Sequence, residues 1–133
     1  MTAPPANSVE VTKDDVKEAV KSSLIDMVVH SAISPNEEVA GAVLADGTSV
    51  RLYNEAKNRR DAFIVGPSQL TELHNVVAVY HSHPNGVEYP SITDEKGLAP
   101  IPVVIITNLS VTLWWYASHV GYYRIWDRNY GTE

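Results

Sequence analysis

The apolar positions of the first third of the chain follow a helical rhythm. Val16, Ala19, Val20, Leu24, Met27 and Val28 recur at three- and four-residue steps, while Lys13, Lys17, Glu18 and Lys21 occupy the other faces. That spacing predicts one amphipathic helix, docked by a single stripe onto a core rather than held out for a partner. Its start is marked at Thr12. Thr12 and Asp15 have capping-box spacing, with Asp in place of the usual Glu or Gln, and Asp14 and Asp15 set negative charge at the positive helix end. Pro35 stops it, and His30 near the end reads as a cation-compatible C-terminal residue.

The pattern then changes to that of strands. Val39 to Ala45 and Ser49 to Tyr53 read as a hairpin around Asp46-Gly47, with Ala40, Gly41 and Ala42 permitting close backbone approach. Val76 to Tyr80 is apolar at successive positions, so both of its faces are covered and the strand is central. Val103 to Thr107 has the same character. Val111 to Tyr116 and Val120 to Trp126 form a last hairpin, with the turn placed around His119 and Gly121 and His119 read as a turn residue, not a ligand. Between these strands, Asn54 to Asp61 is a polar loop, and Phe63 to Val65 is a short strand or an extended segment over the core. About two helical turns run from Gly66-Pro67-Ser68 through Leu73, with His74 structural at their end. Asn85-Gly86 is a turn, and Pro90-Ser91 opens a short helix through Leu98. The predicted fold class is α/β in the broad sense (α+β), a single mixed β-sheet with flanking helices. Residues 1–10 read as a flexible N-terminal tail and 11–133 as a single domain.

Composition narrows the chemistry. The 133 residues suffice for one domain with a core, and a net charge of -6 argues against a phosphate-tracking nucleic-acid binder. The densest basic cluster, Lys57, Arg59 and Arg60, is followed by Asp61 and reads as a solvated loop. No apolar run approaches a membrane span, and Met1 to Ser8 lacks the regions of a signal peptide, so a chain soluble in the cytoplasm at synthesis is expected. Cysteine is absent, so any metal must take His, Asp, Glu or water. Trp114, Trp115, Tyr116, Tyr122, Tyr123, Trp126 and Tyr130 crowd the last strands, and partner surface and core cover have equal weight as explanations.

The central strand delivers His81 and His83. Two residues apart on an extended chain, they point to the same side, with backbones about 6–7 Å apart, and can converge on one ion. Asp94 returns after a loop long enough to fold back. Two His and one carboxylate leave a fourth tetrahedral position for water, the arrangement of a catalytic zinc; the one nearby candidate to close it is Glu88. Zinc lowers the pKa of its water toward about 7, which creates a nucleophile at neutral pH. Ser91, one helical turn before Asp94, is a candidate hydroxyl donor for a developing oxyanion. Glu37 and Glu38, at the start of the first hairpin, are candidates for the general base.

A glutamate, a distant His-x-His-Pro, a serine eight residues after the second histidine and an aspartate three further on together resemble the JAMM (MPN-plus, or JAB domain) zinc metalloproteases. The matching residues are Glu38, His81-Ser82-His83-Pro84, Ser91 and Asp94. Glu38 fits better than Glu37 because the family usually places a glycine three residues after its glutamate, and Gly41 stands there. Asn54 and Phe63 lie where the family often has an asparagine and a phenylalanine. The resemblance covers roughly Ser34 to Thr107 and implies a cytidine-deaminase-like fold. It implies that His81, His83 and Asp94 bind zinc, that Glu38 is general base and then acid, and that Ser91 stabilises the oxyanion. The implied reaction is hydrolysis of a peptide or isopeptide bond in a protein or peptide substrate. Family members act on ubiquitin-like chains, process sulfur-carrier proteins or occur in phage tail tips. The small size and the Tyr80-to-Asn85 wording are similar to the prokaryotic and tail-assembly forms, for which phage tail proteins are the expected partners and the virion a destination. The competing expectation is a structural tail-tip or assembly component that uses the same fold without catalysis.

Overall fold

The computed structural model describes residues 12–60, 62–87, 101–108, 110–115 and 118–124. The elements are helix α1 (Lys13–Ile33), strands β1 (Ala40–Leu44) and β2 (Ser49–Leu52), short helix α2 (Pro67–Thr71), and strands β3 (Val76–Ser82), β4 (Val103–Ile106), β5 (Ser110–Trp115) and β6 (Ser118–Arg124). The strands form one sheet in the order β2-β1-β3-β4-β5-β6. β3 and β4 run parallel, and every other neighbouring pair is antiparallel. The fold is therefore α+β with a single mixed sheet, as the pattern predicts.

α1 begins with the expected capping box. The Thr12 hydroxyl accepts from the Asp15 N–H, and the Asp15 carboxylate accepts from the Thr12 N–H. The predicted stripe is the buried face: Val16, Ala19, Val20, Leu24 and Met27 lie in the core and Val28 packs against it. Burying each of the larger side chains contributes about 1.5–3 kcal/mol. Ser23 belongs to the same face, and its hydroxyl donates to the Gly47 carbonyl at 2.8 Å. A Cβ on Gly47 would lie 2.9 Å from the Ser22 Cβ, so the β1–β2 turn sits directly on the helix.

β3 is buried along its whole length. On one face Ala78 and Tyr80 join α1, Val104 and Ile106; on the other Val79 joins Ala42, Val103 and Ile105. Leu44, Leu52, Leu73 and Trp114 pack onto this second cluster. The strand is thus central and covered on both sides, as its unbroken apolar run implies. For Trp114 the core-cover explanation of the aromatic end holds; Tyr116, Trp126 and Tyr130 lie outside the described residues.

Phe63 to Val65 takes the second of its two expected forms, an extended segment that joins no strand of the sheet. Other expectations change. α2 is a five-residue helix that ends at Thr71, short of Leu73. His119 is a strand residue in β6 opposite Trp114, not a turn residue. The register shifts between Leu113 and Trp114, with Gly121 opposite Leu113, so the glycine marks a strand irregularity and not the turn. His30 is not a helix-end cation. Its Nδ1 lies 2.6 Å from the Tyr80 hydroxyl, and burial first, then the Arg51 charge, lower its pKa to about 4. Burial pushes the Tyr80 phenol well above its usual range, so Tyr80 donates and neutral His30 accepts. Gly41 makes room for this pair: a Cβ there would overlap Cε2, Cζ and the hydroxyl of Tyr80. The predicted helix opened by Pro90-Ser91 lies outside the described residues.

Candidate metal centre

The centre is built where β1 and β3 run side by side. Ala40 of β1 is registered with His81 of β3, and cross-strand partners share a face. Side chains alternate along a strand, so Glu38, two residues before Ala40, projects to the face that carries His81. The pairing continues past the end of β3. The Ser82 N–H donates to the Val39 carbonyl at 3.0 Å, the Ser82 hydroxyl accepts from the Val39 N–H at 2.9 Å, and the His83 N–H donates to Ile106 on β4 at 2.8 Å. Backbone on both sides therefore fixes the strand that carries the two histidines.

The three side chains converge. Glu38, His81 and His83 are all buried, and their ligand atoms lie within 4.8 Å of one another. The Nε2 atoms of His81 and His83 are 3.0 Å apart, with the rings edge to face. Two nitrogens at 2.0–2.1 Å from a tetrahedral ion would stand about 3.3 Å apart, so only a few tenths of an ångström separate this pair from metal geometry. Tautomer selection points the same way. Pro84, Asn85 and Gly86 close a turn in which the Gly86 N–H donates to the His83 carbonyl at 3.0 Å, with Gly86 at φ 82°. The turn brings the Val87 carbonyl to 2.8 Å from His83 Nδ1. Nδ1 must carry its proton to make that bond, which leaves the Nε2 lone pair directed at His81. A carboxylate and two imidazoles are a donor set suited to zinc.

A polar loop walls the centre. The Phe63 ring stacks on His81 with centroids 4.1 Å apart and planes at 23°. Asn54, buried two residues past the end of β2, donates from Nδ2 to the Glu38 carbonyl at 2.7 Å and to the Ala62 carbonyl at 3.0 Å. Glu37 turns the other way, onto Arg59 at 3.6 Å. The geometry thus agrees with the preference for Glu38 drawn from Gly41: Glu38 faces the histidines, Glu37 the loop. Ser91, Asp94 and Glu88 lie outside the described residues.

The pattern of the chain does not disclose what Asn54, Phe63, Tyr80 and His30 do here. Asn54 and Phe63 stand at positions familiar from the resemblance, but their contacts with Glu38 and His81 come from a loop that periodicity cannot trace. A lone asparagine directly after a strand is the usable signal for such a clamp, because buried amides must fill their hydrogen bonds.

A search of curated proteins returns no match. A family model described as prokaryotic homologs of the JAB domain matches residues 20–117, a span that runs from within α1 past the end of β5 and takes in Glu38, His81 and His83. With that match over most of its length, the chain belongs to the JAB domain family, among its prokaryotic homologs.

Proposed function

We propose that the protein is a zinc-dependent metallopeptidase that hydrolyses a peptide or isopeptide bond. The observation that carries this is the convergence of two imidazole Nε2 atoms 3.0 Å apart beside a buried carboxylate. His81 and His83 would hold the ion, with Asp94 as the third ligand. A bound zinc would supply a Lewis acid for a water and for the scissile carbonyl. Glu38 takes the proton from the attacking water and returns it to the leaving amine, so the proton count closes over the cycle. Its fixed place beside the imidazoles is what this transfer needs. Ser91 donates to the oxyanion. His83 also lines a cleft of about 470 Å³ on the α1 side of the sheet, together with Val28, Ala32, Pro35, Ser82 and Ile106.

The substrate class is a protein or peptide, with ubiquitin-like or sulfur-carrier proteins as one setting and phage tail assembly as the other. The wording from Tyr80 to Asn85 favours the tail setting, and copurification with tail proteins tests it. Glu38→Gln tests the mechanism. The variant should keep its zinc and lose about 10²–10⁴-fold in hydrolysis of ubiquitin-like fusions and tail-derived peptides that the wild type cleaves. Wild-type rates in Glu38→Gln would remove Glu38 from the mechanism. Zinc-loaded wild type inert toward the whole panel would favour the assembly role without catalysis.

A further inference from the structure

We infer that Asn54 is a positioning residue for the metal centre, holding the backbone of Glu38 and the Phe63 ring against His81 in one register; this rests on the reading of Glu38, His81 and His83 as a metal site. An asparagine side chain offers two N–H donors and an oxygen with two lone pairs. All four are used. Nδ2 donates to the carbonyls of Glu38 at 2.7 Å and Ala62 at 3.0 Å. Oδ1 accepts from the N–H groups of Ala56 and Ile64, each at 3.0 Å. The amide is planar, so one rigid group fixes four backbone positions relative to each other.

Two of those attachments act on the centre. Glu38 is the residue whose carboxylate stands beside the imidazoles. Ala62 and Ile64 bracket Phe63, and both are tied to Asn54, so the ring stacked on His81 hangs between two anchors on the same amide. Phe63 in turn limits the tilt of the His81 imidazole. The 4.1 Å stack leaves no room for rotation of that ring toward the loop. Asn54 thus couples the position of the base to the orientation of a ligand without touching either reactive atom.

Other bonds keep the loop attached when this one is changed. The Glu38 N–H donates to the Arg59 carbonyl, and the Glu55 N–H donates to the Ile64 carbonyl at 2.8 Å. Variants of Asn54 should therefore fold while the register loosens. Asn54→Asp is the diagnostic change. It keeps an oxygen for the N–H groups of Ala56 and Ile64 and sets a second oxygen against the carbonyls of Glu38 and Ala62, where repulsion replaces donation.

The test has three readouts on Asn54→Asp, with Asn54→Ser read in the same way should the aspartate variant fail to fold. In the metal-free protein, the NMR resonances of the His81 ring protons, displaced by the Phe63 ring current, should move toward their positions in Phe63→Leu. Zinc affinity, from competition with a chromogenic chelator, should fall about 10–100-fold, as for other residues that orient metal ligands. At saturating zinc, kcat should fall with KM little changed, because Glu38 is displaced and not the substrate. Wild-type His81 resonances and wild-type zinc affinity in a folded Asn54 variant would overturn the inference. A wild type that binds no zinc would instead overturn the metal reading, while the His81 resonances still decide whether Asn54 sets the ring.

Discussion

Gly41 and His30 show how single residues set the packing of Tyr80, the neighbour of His81 on β3. Gly41 leaves the space in which the Tyr80 ring lies, and Tyr80 precedes His81 on β3. The ring is 1% exposed and bonded to His30, so it cannot swing clear of an added methyl. Gly41→Ala should cost about 1–3 kcal/mol, the usual range for overpacking a core, read as a lower urea midpoint. His30 gives a pH dependence of known sign. Its pKa falls from the ordinary 6.5 to about 4 in the folded chain, so the unfolded chain binds the proton more readily. Stability from this group is complete above about pH 6.5 and is lost as pH falls toward 4. The urea midpoint should drop between pH 7 and pH 5, and His30→Gln should reduce that drop; an unchanged drop would mean that other groups carry it. At this scale the sequence was legible where chemistry follows spacing. His81 and His83 meet because a strand returns to the same face every second residue. The Tyr80–His30 bond spans fifty residues and the Asn54–Glu38 bond sixteen, and no local pattern encodes either.

Among the elements, α1 and β3 were the most legible, for different reasons. α1 carries a stripe, a cap and a stop, and the structure uses all three. Thr12→Ala removes the hydroxyl that accepts from the Asp15 N–H and should cost about 1 kcal/mol, measured by thermal or urea unfolding. β3 was legible because a strand covered on both faces has no polar alternation to interrupt it. The last hairpin is where its pattern puts it, but not its turn, because a glycine suggests a turn as readily as a strand irregularity. β5 ends at Trp115 and β6 begins at Ser118, so the reversal precedes His119, and Gly121 sits within β6 where the register slips. The pattern around Phe63 allows either a strand or an extended cover. Its backbone bonds to the Asn54 side chain instead of to a strand, which is why it follows no strand rhythm.

For the whole molecule, the centre joins parts of the chain that are distant in sequence. Glu38 leads into β1, the histidines end β3, and the register of Ala40 with His81 is the link. A metal held by the folded chain and not by the unfolded one must raise stability, by about 2.7 kcal/mol when free metal is a hundred times its Kd. Zinc should therefore raise the unfolding temperature of the wild type, and a chelator should reverse the gain. His81→Ala should show no such shift, whereas Glu38→Gln should keep it. Asp94 and Ser91 enter the account through the motif, and their variants extend the same assay: Asp94→Ala should lower zinc affinity, and Ser91→Ala should leave zinc content unchanged while slowing hydrolysis. The most direct test of the central claim is the zinc content of the purified protein, measured by elemental analysis beside His81→Ala. One equivalent of zinc per wild-type chain and none in the variant is the predicted result; a zinc-free wild type, or a His81→Ala variant that retains the full equivalent, would contradict it.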